Sequence, residues 1–398
     1  MEISKLRTYI QSANINFLFG SGLSKPYLDT LGDIEKWLTV LSNNKIDDKV
    51  KTVIETSIYQ EYFTKVIFPN HTDSNQTDYD TVIENYKNFF TIWNDIFNKR
   101  ANKLLSKQLN IYTTNVDTLI EKAVEQTKVE FNNGFNGTIK QVFDEGNFQK
   151  SYNKTSLHFQ NTFEIPVFNL LKMHGSINWK EDNNEIINDY LLSQIQSIYE
   201  TLKKIDNKYF VDCVELSKMQ TEANKLIKDT SNSSIDFSTL YSTFLESYKK
   251  LIIVNPTKHK FSETVMDLHF YELMRMYSNS LEKENSVLFV MGFSFADEHI
   301  REITLRAANT NPTLLVVIFA YDDNQTFNDF EGKKFVSNAN NNNIILLTPS
   351  TFKTNNKVDA DKESEKKKII DSITNFDLVT INSVFSLINK ELPANYGK

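Results

Sequence analysis

The sequence predicts an α/β protein built on a mostly parallel β-sheet with helices on both faces. Short apolar runs alternate with amphipathic helical segments along most of the chain, which is typical of parallel sheets. The first apolar run, residues 15–19, ends abruptly in a Gly-Ser-Gly-Leu-Ser turn at 20–24. A later run, 109–115, passes into a helix with regular apolar spacing at 116–124. These observations indicate a Rossmann-like sheet, in which ligands bind beyond the carboxyl ends of the strands.

The predicted strands and helices follow the chain in order. The strands are apolar runs bounded by polar or turn residues, at 15–19, 109–115, 166–173, 251–255, 286–291, 313–321 and 344–348. The helices are periodic or polar segments, at 2–13, 33–42, 47–66, 79–106, 116–124, 263–281, after 297, and over the last ~25 residues.

Two helical blocks interrupt this alternation. The block 33–106 is far longer than the ~10–15 residues that a simple crossover needs, so we interpret it as an inserted helical module. The block 182–250 is polar and helix-rich and is interpreted as a second insertion. Its apolar residues between 186 and 198 are assigned to one helical face. The predicted division is a nucleotide-binding domain at 1–350, followed by a charged linker and helical tail at 351–398.

Composition argues against several classes of protein. The chain has 398 residues, a net charge of −7 and a sequence pI of about 5.6, so direct contact with nucleic acid is disfavoured. The single cysteine, Cys213, cannot form an internal disulfide or a multi-cysteine zinc site, and it fits a reducing cytoplasm. No apolar run approaches the ~18 residues that span a bilayer. We therefore expect a cytoplasmic protein with no membrane segment and no bound metal.

The turn after the first strand is the first candidate binding element. Gly20 and Gly22 allow the backbone to pass close to a ligand, and Ser21 and Ser24 offer hydroxyls to phosphate or ribose oxygens. A following helix amino terminus would add to the attraction for a pyrophosphate. Glycine-rich turns also occur in loops that bind nothing, so the turn alone is a weak signal.

Three further polar junctions follow later strands. Thr114, Asn115 and Asp117 follow the second strand, and His174 and Gly175 follow the run 166–173. Because carboxyl ends of parallel strands share one edge of a sheet, these residues are expected to meet the glycine turn. Each has a structural alternative: Asn115 as a helix cap, Asp117 as a first-turn carboxylate, and His174 as a buried structural histidine.

The segment after the predicted strand 286–291 completes the set. Gly292 and Ser294 lie in Met-Gly-Phe-Ser-Phe-Ala-Asp at 291–297. Ser294 and Asp297 match the Ser-x-x-Asp pattern of a capping box before a helix, so Ser294 has a structural alternative as a cap.

In this order the four segments resemble the Gly-Ala-Gly-x-Ser, Thr-Gln-Asn-x-Asp, His-Gly and late Gly-x-Ser motifs of the sirtuin family. Residues 131–137 and 174–179 look closest to the bacterial sirtuin-like NADases of anti-phage defence. The resemblance implies that NAD⁺ is the substrate and that nicotinamide is cleaved from ribose through an oxocarbenium-like transition state.

The resemblance also implies roles for the site residues. Asn115 would orient the ribose or the attacking water, Asp117 would hold nicotinamide or support its loop, and His174 would act as general base. The dinucleotide would be held by the first turn and by the later glycines and serines. These binding residues are Gly20, Ser21, Gly22, Ser24, Thr114, Gly175, Gly292 and Ser294.

The chain departs from the family deacylases at two places. Their four-cysteine zinc module follows the His-Gly motif, whereas this chain has the block 182–250 and one cysteine there, so no zinc ribbon can form. Their Pro-Asp-Phe-Arg sequence is replaced by Lys-Pro-Tyr-Leu-Asp at 25–29. Both departures favour NAD⁺ hydrolysis over deacylation.

Two alternatives stay open at this point. One is an NAD⁺-dependent deacylase or ADP-ribosyltransferase, and the other is a non-catalytic scaffold whose pocket binds a nucleotide to control assembly. An NADase that depletes NAD⁺ to stop phage growth must be restrained in healthy cells. The resemblance therefore implies regulation by homo-oligomerisation or by a partner such as a HerA-type hexameric ATPase.

Overall fold

The computed structural model describes residues 1–30, 34–43, 46–72, 76–100, 104–231, 235–255, 268–325, 327, 339–357 and 364–392. The strands are β1 Asn14–Phe19, β2 Gln108–Thr113, β3 Glu130–Asn132, β4 Phe135–Asn136, β5 Val142–Phe143, β6 Asn153–Thr155, β7 Thr162–Glu164, β8 Val167–Lys172, β9 Trp179–Asp182, β10 Glu185–Asn188, β11 Ser286–Met291, β12 Leu315–Phe319 and β13 Ile344–Leu347.

The helices cover the sheet and form the two helical blocks, whose status as insertions stays a prediction. They are α1 Ile3–Ser12, α2 Ile34–Asn43, α3 Asp48–Tyr62, α4 Pro69–Thr72, α5 Gln76–Lys99, α6 Leu119–Glu125, α7 Ser193–Leu202, α8 Leu216–Asp229, α9 Phe237–Tyr248, α10 Leu268–Glu282, α11 Glu298–Thr310, α12 Pro349–Asn355, α13 Glu365–Ser372 and α14 Leu378–Glu391. A π-helical turn, Phe63–Ile67, extends α3.

A seven-stranded sheet in the order β13-β12-β11-β1-β2-β8-β3 forms the centre of the fold, and all of its strand pairs are parallel. This confirms the predicted Rossmann-like α/β class. Both faces are covered, which is why β11 consists of six buried residues in succession. β1 lies centrally between β2 and β11, so the turns after β1, β2, β8 and β11 lie side by side at one edge.

A ladder of asparagines, all buried except the half-buried Asn110, fixes the register of four neighbouring strands. Asn110 donates to Asn16 Oδ1 at 3.0 Å, and Asn169 donates to Asn110 Oδ1 at 2.9 Å. Asn132 extends the row by donating to Asn169 Oδ1 at 3.2 Å. A one-residue slip would break this row and place apolar side chains on the wrong face, so the ladder holds the strand ends level at the edge.

The predicted strand 251–255 is wrong as a sheet strand. Ile253 makes an isolated antiparallel bridge with Gly175, and Val254 N donates to His174 O at 2.9 Å. The segment pairs with the turn that leaves β8, because that turn presents free backbone groups and the sheet edge beyond β8 is taken by β3. The unpredicted β3 therefore displaces it from the sheet.

The helical assignment of residues 186–191 is also wrong. β9 and β10 form an antiparallel hairpin, with Asn183 and Asn184 both at positive φ in a two-residue turn. Asparagine tolerates this conformation better than most residues, so the local turn overrides the apparent helical spacing. Helix α7 starts only at Ser193.

The segment after 350 packs into the main core. Phe385 on α14 is fully buried, and its ring lies 4.8 Å from that of Trp93 on α5 and 5.6 Å from that of Phe289 on β11. The predicted helical tail is thus a helix that covers the sheet, while the domain boundary at 350 stays a prediction. Within the predicted elements and blocks, positions 33, 44–45, 73–75, 101–103, 232–234, 263–267, 358–363 and 393–398 lie outside the described residues.

No helix within the described ranges is both long and apolar enough to cross a membrane.

Candidate active site

The turn after β1 packs directly against the turn after β11. Gly20 N donates to Met291 O and Gly22 N donates to Gly292 O, both at 3.0 Å. A Cβ on Gly20 would lie 2.3 Å from Gly292 O, and Gly292 itself has a φ of +62°. The glycines are therefore required by the close approach of two backbones. Both amides are therefore engaged within the protein, and contact of this turn with a pyrophosphate stays a prediction.

Residues Ser21–Ser24 form a single 3₁₀ turn directly after Gly20. The helix predicted at 33–42 is present as α2, Ile34–Asn43, and its predicted contribution to pyrophosphate binding stays a prediction. Gly22 and Gly292 are exposed, as is Ser294, so these three residues form an open rim. Ser21 and Thr114 are half-buried next to it.

Beneath the rim lies a buried polar floor. Asn115 Nδ2 donates to Gly20 O at 3.2 Å and to Ser24 Oγ at 3.3 Å. Ser24 Oγ donates to Asp117 Oδ2 at 2.9 Å. These bonds join the ends of β1 and β2, as the sequence predicts. Among the described residues, none bonds the buried Oδ1 of Asn115, and such an unsatisfied acceptor costs about 1–3 kcal/mol.

Both carboxylate oxygens of Asp117 are occupied within the protein. Oδ1 accepts from Leu119 N at 3.1 Å, and Oδ2 accepts from the Ser24 hydroxyl. Of the two roles predicted for Asp117, this arrangement favours support of the loop.

Two tyrosines that sequence analysis missed complete the floor. Tyr62 at the end of α3 and Tyr86 on α5 are buried beside Asp117. Burial, and secondarily the charge of Asp117, raises the pKa of both phenols well above the usual value of 10. Both hydroxyls therefore stay protonated. No sequence signal identified them, because they come from the helical module and reach the site only through tertiary packing.

His174 lies at the end of β8, opposite a carboxylate. Its Nε2 is 3.2 Å from Asp297 Oδ2, and both side chains are more than nine-tenths buried. Asp297, not Ser294, caps α11: its Oδ1 accepts from His299 N at 3.1 Å and from Ile300 N at 3.2 Å. Ser294 Oγ instead accepts from Ala296 N at 3.4 Å. Asp297 was predicted only as part of a capping box, so its contact with the imidazole is new.

A buried cation supports the loop behind His174. Lys172 Nζ lies 2.9 Å from Glu121 Oε1 and 2.8 Å from Ser176 Oγ, and it also donates to the backbone oxygen of Asp117. Burial raises the pKa of Glu121, and Lys172 opposes that rise. These contacts tie the junctions after β2 and β8 together.

Gly175 separates this site from an open cavity of about 1100 Å³. A Cβ at Gly175, where φ is +71°, would lie 2.1 Å from Ile252 O and 3.1 Å from the Phe270 ring. Ile252 and Phe270 line the cavity together with Lys180, Lys249 and others, but the predicted site residues do not. Gly175 thus has a packing role in the structure, and its predicted contact with a dinucleotide stays a prediction.

The structure therefore brings the four predicted segments together. Hydrogen bonds and contacts run from Asn115 to Gly20, from Gly22 to Gly292, and from Asp297 to His174. Within the described part of the chain, no group of three or more His, Cys, Asp or Glu side chains is placed to hold a metal ion.

Comparison with known families gives one match. The family model described as a SIR2-like domain matches residues 109–344, which is more than half of the chain. This span includes Asn115, His174 and Gly292, and it begins after the turn at 20–24. No curated protein matches the sequence.

Proposed function

The chain belongs to the SIR2-like family, and from that premise we propose that it is an NAD⁺ glycohydrolase, which converts NAD⁺ and water to nicotinamide and ADP-ribose. The family assignment indicates an NAD⁺-utilising enzyme, and the finer assignment rests on one observation. The buried Oδ1 of Asn115 has no partner among the described residues, and it belongs to a polar floor next to the His174 site. A ribose hydroxyl or an ordered water would satisfy this acceptor.

The proposed reaction requires the protein mainly to position NAD⁺, the attacking water and one general base. The C1′–N bond breaks, and its electron pair goes to the nicotinamide ring, which leaves as a neutral molecule. Water then adds to the positively charged anomeric carbon and loses a proton to His174. Asn115 orients the ribose or this water, while Ser24 and Asp117 hold the Asn115 amide in place. NAD⁺ serves as substrate, and the proposal requires no metal.

Incubation with NAD⁺ and chromatography of the products test this proposal. Wild-type protein, alone or with an activating partner, should release nicotinamide and ADP-ribose in equal amounts. His174→Ala and Asn115→Ala should each lose at least ~100-fold in turnover, since both remove groups at the reacting atoms. His158→Ala and Asn224→Ala, at exposed sites elsewhere, are matched controls and should keep full activity. Unchanged turnover in His174→Ala would refute the assignment.

The same incubation with NAD⁺ distinguishes the proposed hydrolase from the two other candidate functions. A deacylase or ADP-ribosyltransferase would release nicotinamide only with an acyl-lysine peptide or another acceptor present. A nucleotide-binding scaffold would bind NAD⁺ without turnover, and Asn115→Ala would then change its assembly instead of a rate.

We further propose that the activity serves anti-phage defence by depleting NAD⁺, under control of self-assembly or of a HerA-type ATPase. This proposal rests on the resemblance of residues 131–137 and 174–179 to defence NADases. Cells that carry the gene should lose NAD⁺ on phage infection, and cells with His174→Ala should not. Size-exclusion chromatography, with and without the partner, reports assembly. A strict monomer that is fully active alone would contradict the proposed control.

A further inference from the structure

We propose that Asp297 is a positioning residue that holds the His174 imidazole in the orientation and tautomer needed to accept a proton. The inference rests on the proposed function of His174. Asp297 Oδ2 lies 3.2 Å from His174 Nε2, and the two side chains are only 7% and 8% exposed. The two atoms are at ion-pair distance but are not aligned as a hydrogen bond in this structure, and such contacts tighten when substrate binds. Once Oδ2 accepts the Nε2 proton, Nδ1 keeps the free electron pair and is the nitrogen available as base.

The position of this carboxylate is fixed by the helix that it caps. Its other oxygen, Oδ1, accepts from the backbone amides of His299 and Ile300 at the start of α11. Ile300 is fully buried in the core, so the amides cannot shift easily. Rigid capping on one oxygen therefore places the other oxygen at a defined point against the imidazole.

The loop before Asp297 is braced in the same way. Phe295 has a φ of +58° and is 2% exposed, which is a strained backbone for a bulky residue. Its carbonyl accepts from Nη1 of the buried Arg301 at 3.2 Å. Such strain persists only where surrounding contacts impose it. Here those contacts aim the carboxylate of residue 297 at His174.

His174 is held from the backbone as well. Its carbonyl accepts from Val254 N, and its neighbour Gly175 pairs with Ile253. These contacts fix the position of the His174 backbone. Asp297 is the carboxylate that faces the ring and sets its orientation, as an acidic partner does for the histidine of a hydrolytic triad.

The Asp297→Asn variant tests this inference. Asparagine caps helices as well as aspartate, so α11 should remain intact. The amide NH₂ would then face Nε2, favour the opposite tautomer and remove the free electron pair from Nδ1. We expect kcat to fall by about tenfold or more, below the ~10⁴-fold loss in a triad, with KM within about twofold of wild type. Asp236→Asn is the control, because Asp236 caps α9 through Ser238 N at 3.0 Å.

A second readout does not depend on turnover. The chain has six histidines, and ¹⁵N NMR of labelled imidazole rings distinguishes the two neutral tautomers. His174, assigned by comparison with His174→Gln, should carry its proton on Nε2 in wild type and on Nδ1 in Asp297→Asn. The inference is overturned if Asp297→Asn leaves the His174 tautomer unchanged. It is also overturned if wild type hydrolyses NAD⁺ and Asp297→Asn has the same kcat. If wild type never hydrolyses NAD⁺, the proposed function fails, and the NMR comparison still decides the role of Asp297.

Discussion

Replacement of Gly20 by alanine is the sharpest test of how the two glycine turns build the site. A Cβ at this position would lie 2.3 Å from Gly292 O, 2.6 Å from Phe293 Cα and 2.8 Å from Gly292 C. All three atoms belong to backbone, so no side-chain rotation can relieve the contact. The turn after β11 must move away from the turn after β1.

The size of this movement and its cost follow from the geometry. An ordinary carbon–oxygen contact is about 3.3 Å, so the 292 turn must retreat by about 1 Å. Overpacking of this kind costs about 1–3 kcal/mol. With an unfolding entropy of about 2.1 cal/mol/K per residue over 398 residues, Tm should fall by about 1–4 °C. A shift of 1 Å in a positioning loop can lower turnover by about 100-fold, so activity should suffer more than stability.

Differential scanning calorimetry and NAD⁺ turnover measure the two effects. Gly146→Ala is the matched control, because its added Cβ would meet first the Asp144 Oδ1 atom at 3.0 Å, a side chain that can adjust. The control should keep Tm within about 1 °C and full activity. If Gly20→Ala also matched wild type in both measurements, the argument that backbone contact between the turns sets the site geometry would be wrong.

Two further predictions concern other parts of the chain. Phe385→Ala should lower the free energy of unfolding by about 3–5 kcal/mol in urea denaturation, because the ring is fully buried against Trp93. The control Val379→Ala, at a half-exposed position on the same helix, should change the free energy of unfolding by less than ~1 kcal/mol. Equal effects of the two substitutions would show that α14 is not part of the core. Burial, and secondarily Glu61, raises the pKa of the Cys213 thiol, so less of it is thiolate at a given pH. Iodoacetamide should therefore label the native chain more slowly than the urea-unfolded chain at pH 8, and faster as the pH rises; equal rates in the two states would contradict this.

The sheet and the meeting of polar segments could be predicted from sequence because both depend on local patterns. A buried parallel strand is an apolar run, as in 286–291, and polar residues that follow such runs must lie at one edge. The order of the segments along the chain then placed Asn115 beside the glycine turn, where it donates to Gly20 O, and His174 at the same edge of the sheet, where it contacts Asp297. Their chemical roles remain predictions.

The sequence-based predictions are wrong or incomplete where a contact between residues far apart in the chain determines the local structure. Residues 251–254 are apolar like a strand, but they pair with the turn at Gly175 because β3 occupies the sheet edge. Asp297 matched a capping pattern, and no local signal could reveal that its second oxygen faces a histidine more than a hundred residues earlier. A helix cap can be recognised from four consecutive residues. The contact between Asp297 and His174 cannot, because it joins two loops that meet only in the completed sheet.

The helical block 33–106, between β1 and β2, forms one side of the candidate site. It supplies the buried Tyr62 and Tyr86 beside Asp117. It also docks on the junction after β2, where Asn70 Oδ1 accepts from Thr118 N at 3.3 Å. Removing the module would expose the Asp117 carboxylate to water and free the junction that carries Asn115. The helical block 33–106 therefore has a direct part in shaping the polar floor.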